Sequence, residues 1–153
     1  MAQSTDHIAR TLNHLITTVR DREAGYRTGA QGVRSPELKS LFDVYAEQSA
    51  QFSTALQHEV ERLGQPATHD ASLAGAAFRG WIQIKSAVTG GSEGAVLVEC
   101  ERGEDVAVGA YERALQELPP ELQPVVVRQY TELKSAHHRI RTLRDAVANA
   151  GGA

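Results

Sequence analysis

The amino-acid sequence predicts an all-α protein with four long helices and a fifth, shorter helix in a long crossover connection. Apolar residues recur at helical spacing in four long segments, and the glycines and prolines cluster between those segments. No segment shows sustained alternation of apolar and polar residues, so we expect essentially no sheet. With 153 residues the chain is long enough for one domain, which we predict to span residues 1–153.

The first two helices have clear boundaries. The first is predicted to begin after one of the N-capping residues at positions 4–6 and to end at the glycines within positions 29–32. For the second, Ser35 supplies an N-cap and Pro36 a residue suited to the first helical position. Gly64 is predicted to stop this helix.

The second half of the chain is divided by similar signals. Residues 65–72 are polar and loop-like, and a short helix is predicted over about 73–89. A third long helix follows and must stop at the two prolines at 119–120, because proline cannot continue a helix. Glu121 is predicted to start the last helix, whose tail, 148–153, is predicted to fray.

The lengths of the connections predict the topology. Two short connections and one long one are typical of a ferritin-like bundle, in which the second and third long helices run parallel. A short helix of about 16 residues spans about 24 Å and can carry the chain back along the bundle. An up-down-up-down bundle, with the short helix folded over one end, is the alternative.

Four polar residues interrupt the apolar faces of the four long helices, at about 100° per residue. Glu104 and His137 are predicted to face each other, and Glu23 and Ser49 to lie at a similar height. By contrast, Glu47, Glu101 and His138 are predicted to face solvent. Four tyrosines share the apolar faces and are predicted to support the polar group with their hydroxyls: Tyr26, Tyr45, Tyr111 and Tyr130.

This polar group has two functional interpretations. In the first it is a structural network in which His137 hydrogen-bonds Glu104, since buried charges must be paired. In the second, Glu23, Glu104 and His137 bind iron, manganese or zinc. The Glu-x-x-His motif of di-iron bundles is absent, so at most one metal with incomplete protein ligation is predicted. A third possibility is that one or both carboxylates face solvent.

Composition and charge exclude several classes of function. The net charge of −3 provides no basic surface for nucleic acid, and no stretch approaches a membrane span of about 20 apolar residues. Cys100, the single cysteine, is predicted to be an inert core thiol. The polar N-terminus has no signal region, which predicts a cytoplasmic protein.

Several segments together resemble the DUF2383 family of small bacterial four-helix-bundle proteins, within the ferritin-like superfamily. They include LNHLITTVRDREAGYRTGA, RGWIQIKSAVTG, ECERGEDVAVGAYERAL and RQYTELKSAHHRIRTLRD. The resemblance implies a ferritin-like bundle and no established activity, with a loose link to stress responses. We therefore expect a non-enzymatic bundle without a cofactor, and a homodimer is possible. The alternatives are an oxidase-like iron or manganese protein and a scaffold that binds a protein partner through Trp81.

Overall fold

Four long helices make up most of the protein. A computed structural model describes residues 4–72, 75–76, 79–80 and 93–151. The helices are α1 (Thr5–Gly32), α2 (Pro36–Arg62), α3 (Glu93–Glu117) and α4 (Gln123–Gly151). No residue in these ranges lies in a strand, which confirms the all-α prediction.

The first two helices begin and end where the sequence indicates. Ser4 caps α1 by accepting a hydrogen bond from the His7 backbone N–H at 3.1 Å. Ser35 caps α2 in the same way, with the Leu38 N–H donating at 3.2 Å. Gly64 follows α2 with φ +73°, a conformation that favours glycine because it lacks a Cβ atom.

The last helix begins two residues later than predicted. It begins at Gln123, because residues 119–122 form a turn in which the Leu122 N–H donates to the Pro119 carbonyl. The Gln123 side chain then donates to the carbonyls of Leu115 and Leu118, which satisfies groups that α3 leaves open at its end. The helix continues to Gly151, and the fraying of the tail from residue 148 stays a prediction.

The crossover begins against α1. Asp21 accepts two hydrogen bonds from Ser72, one from its backbone N–H and one from its hydroxyl, each at 2.7 Å. A Cβ at position 75 would collide with the Asp21 carboxylate, so Gly75 permits this close approach. Residues 75–76 and 79–80 are helical, whereas most of the short helix predicted over 73–89, including Trp81, lies outside the described residues.

The directions of the helices follow from contacts between their ends. Asp6 near the start of α1 accepts a hydrogen bond from Gln65 just after α2, so these two helices are antiparallel. The Ser35 N–H donates to Glu93 at 2.9 Å, which places the starts of α2 and α3 at one end of the bundle. Thus α2 and α3 run parallel, as in the ferritin-like arrangement, and the up-down-up-down alternative is excluded.

The interior consists of two apolar clusters with a polar level between them. On α1 the first cluster ends at Val19 and the second begins at Tyr26; on α3 the corresponding residues are Ala107 and Cys100. Three buried polar residues lie between the clusters, and we call them the polar layer: Arg22, Ser49 and Glu104. Within the described helices, none is long and apolar enough to span a bilayer.

Candidate functional site

An ion pair lies at the centre of the polar layer. Arg22 and Glu104 are almost fully buried, with 2% and 1% of their side chains exposed. The Arg22 Nε donates to Glu104 Oε1 at 2.5 Å, and Nη2 donates more weakly to Oε2 at 3.4 Å. Charge-assisted, two-point bonds of this kind fix both the distance and the orientation of two helices. Here they join α1 to α3.

The rest of the Arg22 guanidinium is held by α2. Its Nη1 donates to Ser49 Oγ at 2.7 Å and weakly to the Tyr45 carbonyl at 3.4 Å. The rings of Tyr26 and Tyr45 lie 5.2 and 5.5 Å from the guanidinium carbon, within cation–π range. The cation therefore has polar or aromatic partners on three helices.

Burial and the ion pair act in opposite directions on Arg22. Burial alone would lower its pKa, but the Glu104 carboxylate outweighs this effect and the pKa is raised. Burial, and then Glu104, raise the pKa of Tyr26 well above its usual range. Glu104 is thus close enough to disfavour ionisation of Tyr26, yet the Tyr26 hydroxyl has no hydrogen-bond partner of good geometry in the described structure.

A cavity of about 260 Å³ adjoins the polar layer between α1 and α3, and we call it the α1–α3 cavity. Arg22, Tyr26 and Glu104 contribute buried side chains to its wall, while Val106 is an exposed residue of its lining. Cys100 also lines it, and burial raises the pKa of its thiol, which keeps the thiol protonated. The helical spacing gave no sign of this cavity.

A second polar cluster lies at the junction of α3 and α4. Glu101, Asp105 and His137 offer ligand atoms within 4.8 Å of one another, and we call them the surface triad. His137 Nε2 is 2.5 Å from Asp105 Oδ1. Both oxygens of Glu101 also contact arginines, Arg141 at 3.4 Å and Arg144 more closely, so part of its charge is already balanced.

The structure separates the three residues that the sequence grouped as metal ligands. Glu23 pairs with Arg20 and Arg27 at 2.7 and 3.2 Å, and 16% of its side chain is exposed. Glu104 pairs with Arg22 rather than His137, which instead meets Asp105. The expected Glu104–His137 hydrogen bond is therefore replaced by the Arg22–Glu104 ion pair and the His137–Asp105 contact, and a metal-binding role for the three residues stays a prediction.

The supporting hydroxyls are divided between the layer and the rest of the bundle. Ser49 belongs to the polar layer, and the rings of Tyr26 and Tyr45 contact Arg22. Two hydroxyls lie elsewhere. Tyr111 donates to Gln129 at 2.7 Å, and Tyr130 donates to Glu112 at 2.9 Å near the surface.

On two helices the residue that faces the interior lies one position before the residue that the sequence predicts. On α1 the inward position is three residues after Val19, at Arg22, rather than four, at Glu23. On α4 the inward positions are Gln129 and Ala136, each one residue before the predicted tyrosine and histidine. A buried arginine is rare unless it is paired, so its partner on another helix was the missing signal.

The solvent-facing predictions had mixed outcomes. Glu47 and His138 are exposed, as expected. Glu101 is only 7% exposed, so its predicted exposure is wrong. Its two arginine partners lie on α4, one and two helical turns beyond His137, and cover the carboxylate.

Comparison with known proteins identifies the family. The profile described as "Domain of unknown function (DUF2383)" matches residues 7–117, which include most of α1 and all of α2, the crossover and α3. The chain belongs to the DUF2383 family. A search of curated proteins finds no match.

The fold of this DUF2383 protein is also found among solved structures. A Dps1 mutant of Mycobacterium smegmatis superposes with a TM-score of 0.74 at 13% sequence identity, over 92% of this chain and 96% of that one. At this identity the likeness concerns the fold alone. It agrees with the parallel arrangement of α2 and α3 and confirms the ferritin-like four-helix bundle.

Proposed function

We propose that this DUF2383 protein is a non-enzymatic ferritin-like bundle whose polar layer is structural. The observation that carries the proposal is the Arg22–Glu104 ion pair. The Arg22 guanidinium lies against the Glu104 carboxylate inside the bundle, so the negative charge of Glu104 is already compensated. The donor set of the polar layer, one paired carboxylate and one serine hydroxyl, does not fit a metal centre.

The ionisation of the neighbouring groups supports binding or structure rather than catalysis. Burial raises the pKa values of Tyr26 and Cys100, so neither is available as an anionic nucleophile near neutral pH. Arg22 and Glu104 are engaged with each other and cannot exchange a proton with a substrate without breaking the pair.

A double-mutant cycle on the ion pair tests the structural role. Arg22→Met or Glu104→Leu alone leaves an uncompensated buried charge, and each should cost about 3–5 kcal/mol of unfolding free energy. The double variant should regain most of that loss, because an apolar pair of similar volume replaces the charges. Additive losses in urea unfolding would contradict the proposal.

A second candidate function is metal binding at the surface triad. It is favoured by the three ligand atoms within 4.8 Å and by the mixed carboxylate–imidazole chemistry, which suits manganese or iron. Arg141 and Arg144 compete with a cation for Glu101, so we expect weak binding.

Metal titration separates the possible ligand sets. For the triad, His137→Ala and Asp105→Asn should abolish manganese binding, while His138→Ala, an exposed neighbour, should not. Loss in Glu23→Gln and Glu104→Gln instead would support the ligands predicted from the sequence. A wild-type protein that stays well below one metal ion per chain, after anaerobic loading with iron or manganese, would remove both sites.

The cellular role is proposed from the sequence and the family resemblance. We infer a cytoplasmic bacterial protein linked to stress, which functions without nucleic acid and forms a homodimer. Light scattering coupled to size exclusion tests the dimer, since a monomeric mass at all concentrations would contradict it. A scaffold role through Trp81 is an alternative, and a substitution Trp81→Ala that leaves partner capture intact would exclude it.

A further inference from the structure

The α1–α3 cavity has features of a small-molecule site that the polar layer does not require. It has a volume of about 260 Å³ and a mostly apolar wall. A wholly apolar protein cavity of about 150 Å³ is large enough to hold benzene. The α1–α3 cavity therefore has room for one aromatic ring with substituents, or for an aliphatic molecule of similar size.

Gly25 of α1 lies in the wall of the cavity. Among the described residues, a Cβ built at Gly25 meets no atom within 4 Å, so a larger side chain there would project into the cavity. Glycine in a helix interior costs about 1 kcal/mol relative to alanine. The chain thus keeps a destabilising residue at a buried helical position where alanine would fit.

One polar atom in the wall needs a partner. Tyr26 is only 3% exposed, lines the cavity, and has a hydroxyl that makes no hydrogen bond of good geometry in the described structure, although the Glu104 carboxylate is close enough to interact with it. A buried hydroxyl without a good hydrogen bond is destabilising, because it has lost its hydrogen bonds to water and has not replaced them with bonds inside the protein. A ligand oxygen in the cavity would satisfy it.

Each charged side chain described in the cavity wall lies within 4 Å of an opposite charge. Arg22 pairs with Glu104 at 2.5 Å, and Arg102 lies 3.6 Å from Glu99. Asp21 holds Ser72 and lies 3.9 Å from Arg79. A charged ligand would leave its own charge uncompensated in a partly buried site, which is costly, so the matched walls favour a neutral one.

We propose that the α1–α3 cavity binds a neutral organic molecule of about one substituted aromatic ring, through apolar contacts and one hydrogen bond to the Tyr26 hydroxyl. This site is separate from the surface triad and does not depend on metal. It goes beyond the structural role of the polar layer, because neither Gly25 nor the Tyr26 hydroxyl is among the hydrogen-bond acceptors that hold the Arg22 guanidinium.

Titration with three matched probes tests the proposal. The probes are p-cresol, which has a neutral hydroxyl, toluene, which has none, and benzoate, which is charged. Dissociation constants are measured on the full chain from amide chemical shifts in two-dimensional NMR. We expect saturable binding of p-cresol and toluene, and much weaker binding of benzoate.

Variants locate the binding and identify its hydrogen bond. Tyr26→Phe should weaken p-cresol binding about fivefold, the usual effect of one lost hydrogen bond, and leave toluene unchanged. Gly25→Ala should weaken both probes and Gly25→Leu should abolish their binding. Gly109→Leu is the matched control on α3, since a Cβ there meets only the flexible end of Arg113.

Three results would overturn the proposal. The first is the absence of saturable p-cresol shifts in the wild-type protein up to the solubility limit. The second is an unchanged dissociation constant in Gly25→Ala, the mildest change, which keeps the variant folded. The third is benzoate binding as tight as that of p-cresol, which would contradict the neutral ligand class.

Discussion

At the scale of single residues, two buried tyrosines differ in whether their hydroxyl has a partner. Tyr111 donates to Gln129, whose own amide donates to the Phe52 carbonyl at 3.3 Å. Tyr26 is equally inaccessible but its hydroxyl has no such bond among the described residues. The same chemical change at these positions should therefore have opposite consequences.

We expect Tyr111→Phe to lower the unfolding free energy by about 1–3 kcal/mol, because it leaves a buried Gln129 oxygen unpaired. Tyr26→Phe should be neutral or stabilising, because it removes an unsatisfied hydroxyl. Urea unfolding of both variants at neutral pH provides the measurement. Equal losses in the two variants would mean that Tyr26 has a partner in solution.

The residue scale is also where the sequence was least informative. Ser49 and Glu104 were recognised because each falls in the middle of its apolar face. Arg22 and Glu23 are neighbours about 100° apart on α1, and apolar spacing alone permits either to face inward. Whether Arg22 or Glu23 faces inward is decided by Glu104 on α3. The contact between Arg22 and Glu104 joins residues 82 positions apart in the sequence.

At the scale of helices, local chemistry fixes most boundaries, which is why they could be predicted. Capping depends on residues within one turn, as with Ser35 and Leu38. The start of α4 was misplaced because the turn after Pro119 depends on hydrogen bonds from Gln123 back to α3, a tertiary contact.

Removal of the α2 cap gives a prediction at this scale. Ser35→Ala should destabilise the protein by about 1 kcal/mol, since the Leu38 N–H loses its acceptor. Ser40→Ala is the control, because Ser40 is an exposed helical residue of α2 where alanine is a better helix former. Thermal unfolding should separate the two variants, and equal melting temperatures would argue against the cap.

The junction of α1 with the crossover gives a second prediction at the scale of helices. Asp21→Ala removes both acceptors of Ser72, so the Ser72 amide should exchange with solvent faster, while amides in the middle of α2 should not change. Asp43→Ala, at an exposed position of α2, is the control. Unchanged exchange at Ser72 would mean that Asp21 does not hold the crossover.

At the scale of the whole molecule, the tyrosine hydroxyls with raised pKa values make the unfolding free energy depend on pH in the alkaline range. Burial raises the pKa values of Tyr26, Tyr45 and Tyr111 in the folded state. The unfolded chain then releases these protons at about pH 10, while the folded chain retains them. The stabilisation is complete below that pH and is lost as the pH rises through the folded values.

We therefore expect the unfolding free energy to fall above about pH 10, by up to about 1.4 kcal/mol per pH unit for each tyrosine that ionises only on unfolding. Tyr26→Phe should reduce the slope by one such contribution. Urea midpoints at pH 8, 10 and 11 give the slopes. A variant with the wild-type slope would show that Tyr26 ionises equally in both states.

The topology was predictable to the extent that it depends on connection lengths. A short connection forces neighbouring helices to be antiparallel, and a long crossover permits a parallel pair, but it does not require one. The contact of Ser35 with Glu93 decides the matter, because it joins the starts of two helices that are far apart in sequence. The α1–α3 cavity could not be predicted from the sequence. It depends on how two helices pack against each other, whereas periodicity shows only which face of one helix is apolar.

The 82 positions between Arg22 and Glu104 have a consequence for how the chain folds. The α1–α2 hairpin closes through a short connection and can form early, whereas the ion pair must wait until α3 arrives. If α3 docked one helical turn out of register, the guanidinium would be desolvated without its counter-charge, at a cost of several kcal/mol. We therefore expect the pair to form late in folding and to penalise docking of α3 in the wrong register.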